Sequence, residues 1–355
     1  MDGFLLNIIK ILTISSLSFL ISLFLTPFLT KFLYQKKLWR KNVREKTIDG
    51  KEAKIYKILS QKRETSVPRF GGVLIIISPL VLGALFLGLS KIFPENSFLQ
   101  KLNFFSRNQT WLCFFALTVA GILGFVDDWL QVKNKGSYIA GGLSFWQRFF
   151  VVFLIGLIGG LWFGVKLEKT EIKIPGMGKI ELPLGAFLFL FIITTLACWA
   201  GGVVDGLDGL AGGVFGTIYF SLGVISLFQN QIDLSAFCFA ILGSLLTFLW
   251  FNIPPARFYM GETGSLPLCV CIAVISFLND SLAVLPIIAG VMVIEVLSVI
   301  LQLFWKKFFK KKLFLIAPLH HHFDAKGWPS YKITMRFWIL SSVFAILGVL
   351  LHFLG

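Results

Sequence analysis

Ten apolar runs, each about long enough to cross a bilayer, divide this 355-residue chain and leave it little choice of fold. Lipid offers backbone N–H and C=O groups no partners, so a spanning run of about 18–25 residues must be helical. The runs are 8–34, 70–90, 110–126, 147–166, 184–201, 209–228, 234–251, 264–279, 281–305 and 333–354; 264–279 is the shortest and lies close to its successor. Composition removes the soluble alternative. Charged residues are 14% of the chain and the 39 Phe outnumber the 18 Asp plus Glu, whereas water-soluble domains carry about 25% charged residues. The expected fold is an all-α polytopic membrane protein, one domain over 1–355.

Smaller features refine that expectation. Pro27 predicts a kink in the first run, which lacks the small-residue site of a cleaved signal and reads as a retained span. Residues 168–182, EKTEIKIPGMGKIEL, alternate charged and apolar side chains about a Pro-Gly-Met-Gly turn, which predicts a small β-hairpin outside the bilayer, on the periplasmic side. The five cysteines lie in apolar stretches and show neither a disulfide nor a zinc pattern.

Basic residues set the orientation. Of 33 Lys plus Arg, 25 fall in the odd-numbered loops, 13 of them in 31–69 and 8 in 305–336. The odd loops are therefore expected in the cytoplasm and both termini on the periplasmic face. This asymmetry accounts for most of the +15 net charge, so nucleic acid is not needed as a partner.

The same loops hold most of the chemistry, and the expected site is built from 31–69, 127–148, 201–209, 252–264 and 305–336. Asp127 and Asp128 end a span in GFVDDW. Paired with Lys133 or Lys135 they would be a solvated helix end. Acids at a helix C-terminus oppose the macrodipole, however, and boundary acids in membrane proteins are functional by default. Asp205 and Asp208 stand three apart in GGVVDGLDGLAGG. Either is an ordinary helix cap, or the glycines let the backbone approach a ligand closely. Asn252, Tyr259 and Glu262 sit in FNIPPARFYMGETGS, where Glu262 suits a metal and Tyr259 a planar ring, against the alternative of a plain turn. His320, His321 and His322 are three of four histidines and suit phosphate contact better than a transition metal. Glu295, inside the ninth run and followed by Gln302, is either a helix–helix hydrogen bond or part of the site. Lys306–Lys312 faces anionic headgroups. Carboxylates, glycines, an aromatic and basic groups at a membrane surface fit phosphate chemistry with Mg2+, and no Walker A sequence is present. A secondary transporter would place its ionisable groups near the midplane, where Glu295 alone is a strong candidate.

GFVDDW, DGLDGLAGG, NIPPARFYMGETGS and PLHHHFDAKGW followed by RFW resemble the polyprenyl-phosphate N-acetylhexosamine-1-phosphate transferase superfamily, of glycosyltransferase 4 type. Within it, the His triplet with KGW and RFW is most similar to the phospho-N-acetylmuramoyl-pentapeptide transferases. The resemblance runs along nearly the whole chain. It implies transfer of phospho-N-acetylmuramoyl-pentapeptide from its UDP carrier to undecaprenyl phosphate, with Mg2+, release of UMP, and a place in a bacterial cytoplasmic (inner) membrane with the site facing the cytoplasm. It also implies that Asp127, Asp128 and His320 are catalytic and that Glu262 occupies the metal position. Asp205, Gly206, Leu207, Asp208, Asn252, Tyr259, Gln302, His321 and His322 would bind nucleotide and substrate. Transfer of N-acetylglucosamine-1-phosphate is the sibling alternative, and a homodimer through the apolar faces stays open. The chain departs from the family pattern in three places. The metal position is Glu262 where Asp is usual, Gly202-Val203-Val204 stands for Asn-Leu-Thr, and Glu64 and Arg69 replace Lys and Thr. Lys62, Arg63 and Arg69 are the candidates for the displaced positive charge near phosphate.

Overall fold

The computed structural model describes residues 3–41, 65–106, 108–136 and 141–355. The described chain is helical apart from one hairpin. In order come α1 (Gly3–Gln35), α2 (Gly72–Ile92), the short α3 (Ser97–Leu102), α4 (Trp111–Val132) and α5 (Phe145–Leu161). After a π turn at Trp162–Lys166 follow β1 (Glu171–Ile174), β2 (Gly178–Glu181), α6 (Leu184–Ala200), α7 (Leu210–Phe228) and α8 (Ile232–Asn252). The chain closes with α9 (Gly261–Leu278), α10 (Leu285–Ile288), α11 (Gly290–Phe309), α12 (Leu319–Ala325) and α13 (Ser330–Leu354).

Nine described helices are long and apolar enough to cross a membrane, and they fall on nine of the ten runs. The run 281–305 differs. It breaks at Ala289 into α10 and α11, and α11 carries Glu295 inside it and Lys306 and Lys307 in its last turn. Beyond that break Leu297, Ile300, Phe304 and Phe308 are exposed, while Glu295, Ser298 and Gln302 face the protein. In lipid an inward polar face and an outward apolar face is the stable arrangement.

The most buried helix is α9. It has 94% of its spanning window covered by neighbours, and it packs most extensively against α4. Its whole stretch from Leu266 to Leu278 is buried, so it reads as a short continuous apolar run. In contrast α1 and α13 lie at the periphery and expose Phe24, Phe28, Ile339 and Ile346. Ser18 and Thr247 tie α1 to α8 by donating to Ala240 and Phe19 carbonyls at 2.6 and 2.8 Å. The predicted hairpin forms, antiparallel, with Glu171 opposite Glu181 and Lys173 opposite Lys179.

The bundle has two distinct ends. At one, Phe4 stacks near Phe228, and Phe228 near Phe353; Gln229 bonds His352 at 2.9 Å, and Lys169 pairs with Asp280 at 2.8 Å. His352 is thus far from its three fellow histidines. At the other end lie the close of α4, the starts of α5, α9 and α13, the turn between α6 and α7, and α12. Every polar loop that the sequence singles out, so far as it is described, meets there; Lys62, Arg63 and Glu64 lie outside the described residues.

Candidate active site

Asp127 and Asp128 were expected where the third span gives way to a loop, but α4 continues past them to Val132. The extension has a cause. Gln131 and Val132 are buried, and Gln131 donates its amide N–H to Asp127 Oδ2 at 2.5 Å from one helical turn away. Adjacent residues on a helix point about 100° apart, so the two carboxylates face different neighbours. Asp127 Oδ1 accepts the Leu143 N–H at 2.7 Å. Asp128 Oδ2 accepts both the N–H and the hydroxyl of Thr263, at 2.8 and 2.7 Å, and its Oδ1 accepts Arg69 Nε at 2.9 Å.

Glu262 lies in the first turn of α9, where a carboxylate complements the macrodipole. Gly261 before it adopts φ +69°, and a Cβ there would come within 2.9 Å of the Asp128 carboxyl carbon. Among these three acids Glu262 keeps the open face, with a side chain 27% exposed, while Asp127 and Asp128 are essentially closed. Arg148 bridges them: its Nη1 stands 3.1 Å from Glu262 Oε1 and 3.9 Å from Asp127 Oδ2.

Arg148 is the main residue that sequence reasoning passed over, since it counted only as loop charge. A signal existed. Ser144 and Gln147 form a capping box that starts α5, which leaves Arg148 in a first turn, where a cation is disfavoured without a local acid. Thr263 gave no such signal, because a hydroxyl in an apolar run has too many uses.

The turn between α6 and α7 is tied down by its own candidates. Asp208 Oδ2 accepts the Ala256 N–H at 3.1 Å, and its carbonyl accepts the Thr334 hydroxyl at 3.0 Å. Asn252 Oδ1 accepts the Gly209 N–H at 2.9 Å while its Nδ2 donates to the Phe258 carbonyl at 2.7 Å. These amide contacts knit the 205–209 turn to the 252–258 loop, a framework role beside any ligand role. Leu207 is buried and Gly206 packs under the rings of His320 and His321. Burial pushes the Asp205 carboxyl up to about 6, against the pull of Arg69, with Asp128 adding to the rise and the Gly261 N–H and His320 opposing it. Asp205 therefore belongs to the same electrostatic cluster as Asp128.

The remaining candidates are split. Tyr259 is half-buried, and its backbone clamps the 66–72 segment: its N–H donates to Pro68 O and its carbonyl accepts the Gly71 N–H, both at 2.8 Å. That clamp brings Arg69 to Asp128. His320 is fully buried, its ring centroid 4.3 Å from that of His321. His322 turns outward, accepts the Leu315 N–H at 3.2 Å, and is held below the usual imidazole range by burial and then by Lys326. Gln302 accepts the Leu313 and Phe314 N–H groups and donates to Phe314 O, bracing the chain that leads to α12.

The cluster is acid-rich. Asp127, Asp128, Asp205 and Glu262 face the guanidiniums of Arg69 and Arg148, and a third, Arg40, bonds Gln131, the partner of Asp127, at 2.9 Å. Both oxygens of Asp127 and of Asp128 already accept hydrogen bonds, which leaves the Glu262 carboxylate as the hard oxygen donor with an open face for a divalent cation.

Comparison with known proteins gives the family. Residues 110–280, which hold both α4 carboxylates, the 205–208 turn and Glu262, match the family described as Glycosyl transferase family 4. The phospho-N-acetylmuramoyl-pentapeptide-transferase of Listeria monocytogenes serovar 1/2a is 40% identical over 243 residues, 68% of this chain and 74% of that protein. Its namesake in Listeria welshimeri serovar 6b is 39% identical over the same shares. That of Anoxybacillus flavithermus is 33% identical over 342 residues, 96% of this chain and 97% of its own length. With similarity of that extent reaching both halves of the site, the chain belongs to the phospho-N-acetylmuramoyl-pentapeptide-transferase family.

Proposed function

We propose that this multi-pass membrane protein transfers phospho-N-acetylmuramoyl-pentapeptide from UDP to undecaprenyl phosphate, releasing UMP and forming lipid I. The observation that carries the reading is the junction of α4 and α9, where Asp127, Asp128 and Glu262 meet with Arg69 and Arg148 between them. The activity named for the relatives supports the same reading.

In the reaction an oxygen of the lipid phosphate attacks the sugar-bearing phosphorus, the phosphoanhydride bond to UMP breaks, and a new phosphoanhydride forms. One anhydride is exchanged for another, so no ATP enters. Both reactants are anionic, and their repulsion must be screened before attack. Glu262, with its open face, would hold Mg2+. When bound, the ion supplies charge neutralisation at the pyrophosphate and at the departing UMP. Arg148 and Arg69 add fixed positive charge at the same place. Asp128, held by Thr263 and Arg69, sets the spacing of α4, α9 and the 66–72 segment, whereas Asp127 is our choice of proton acceptor for the lipid phosphate. The exposed apolar face of α11, beside His320, offers a surface for the polyprenyl chain.

The excess of basic residues in the odd loops supports a site facing the cytoplasm of a bacterial inner membrane. The test is UMP release by detergent-purified protein given undecaprenyl phosphate and Mg2+, with UDP-N-acetylmuramoyl-pentapeptide or UDP-N-acetylglucosamine in parallel. Release with the pentapeptide substrate alone supports the proposal. Release with the smaller sugar alone moves the chain to the sibling reaction, and release with neither from folded protein sinks both.

A further inference from the structure

Glu295 is an acid on the inward face of α11, and it is fully buried. Beside it lies His320, also fully buried. The His320 main-chain N–H donates to Glu295 Oε1 at 3.2 Å. Ring Nδ1 stands 3.1 Å from Oε2, an ion-pair distance, but out of line for a ring N–H hydrogen bond. Glu295 Oε2 and both ring nitrogens of His320 are thus buried without a hydrogen-bond partner. Buried orphans are costly and call for a reason. A small rotation of the ring satisfies Nδ1 and Oε2 together. It leaves Nε2, for which a ligand is the natural partner.

The place where Nε2 sits narrows that ligand. Nε2 lies against Gly206, where a Cβ would fall inside contact distance of it and 3.1 Å from His321 Nε2. Only glycine lets both ring tips reach the 205–208 turn. We propose that Glu295 is a positioning residue for His320: it accepts a hydrogen bond from Nδ1–H, fixes the ring plane, and leaves the Nε2 lone pair to accept from a hydroxyl of a nucleotide sugar at this turn. The inference rests on the transferase reading above. The choice of Glu over Gln follows from the count of donors. His320 presents two donors, its main-chain N–H and Nδ1–H, and two acceptors are needed. A carboxylate supplies both, whereas a Gln amide sets its NH2 against one of them, so either the backbone contact fails or the ring proton moves to Nε2.

Two measurements on the full chain in detergent test this. In 15N-histidine NMR, with the four histidines assigned by His→Gln replacement one at a time, His320 should carry its proton on Nδ1. A neutral ring protonated on Nε2 alone would overturn the proposal without any Glu295 variant. In the UMP-release assay Glu295→Gln should lower kcat by about a hundredfold, the upper end of what losing the partner that orients an imidazole costs, with KM for the sugar nucleotide changed by less than about threefold. Glu295→Asp, shorter but still a double acceptor, should recover at least about tenfold of that loss. Folded Glu295→Gln that matches an active wild type sinks this inference and leaves the transferase reading standing. A folded wild type that releases no UMP sinks the transferase reading, and the ring proton still decides the Glu295–His320 pair.

Discussion

Gly124→Ala puts the junction of α4 and α9 to a direct test. A Cβ at Gly124 would stand 2.5 Å from the Glu262 carbonyl carbon and 2.8 Å from the Thr263 nitrogen, with the Glu262 oxygen nearer still. Ordinary contact begins at 3.4 Å, and all three atoms are backbone, so no side chain can swing aside. The helices must part locally by about 1 Å, an overpacking that costs roughly 1–3 kcal/mol. The same displacement stretches the 2.8 Å Thr263–Asp128 bond beyond hydrogen-bond range and carries Glu262 away from Asp127 and Arg148. A misplacement of 1 Å in a catalytic constellation lowers the rate by about a hundredfold. UMP release and thermal unfolding of the same detergent preparation read both effects. Activity within twofold of wild type, at an unchanged Tm, would refute the close packing from which the site is built.

Further outcomes follow from the same geometry. Asp127→Asn should lower kcat by at least about a thousandfold if this group takes the proton, and near-normal turnover by folded protein would remove Asp127 from the mechanism. Glu262→Ala should raise the Mg2+ concentration for half-maximal rate by about tenfold or more while Glu262→Asp stays near wild type; an unchanged Mg2+ requirement in the Ala variant would end the ligand assignment. Asp205, raised from an ordinary value near 3.8 to about 6, binds its proton more tightly in the native state. Its contribution to stability is therefore full below pH 3.8 and lost as pH rises through 6, up to about 3 kcal/mol in all. Asp205→Asn should flatten the fall in Tm between pH 4 and 6.5, and an unaltered slope would refute the burial argument. Asn252→Ala leaves the Gly209 N–H and Phe258 carbonyl unpaired, at about 1–3 kcal/mol each, and a Tm within a degree of wild type would show that the amide is not the tie between these loops.

The sequence alone determined the spans, the hairpin and the end of the molecule at which chemistry gathers. Apolar run length is set by bilayer thickness, and a Pro-Gly turn between alternating residues is a local property, so neither needs a partner to be read. The four separate motifs were legible because acids and glycines at membrane boundaries have few structural uses. Other features depended on the tertiary structure. Run 281–305 reads as one apolar stretch, and only the structure shows its break at Ala289 and an α11 that turns Glu295 and Gln302 inward. Asp127 and Asp128 read as a loop entry, whereas the structure keeps them within α4, which runs on to the buried Gln131 and Val132. Asn252 and Gln302 resemble ligand groups in sequence, yet their amides brace the backbone around the site. Arg148 and Glu262, and likewise Glu295 and His320, are pairs from distant helices. An ion pair is a relation between two residues in space, and spacing along the chain carries no record of it.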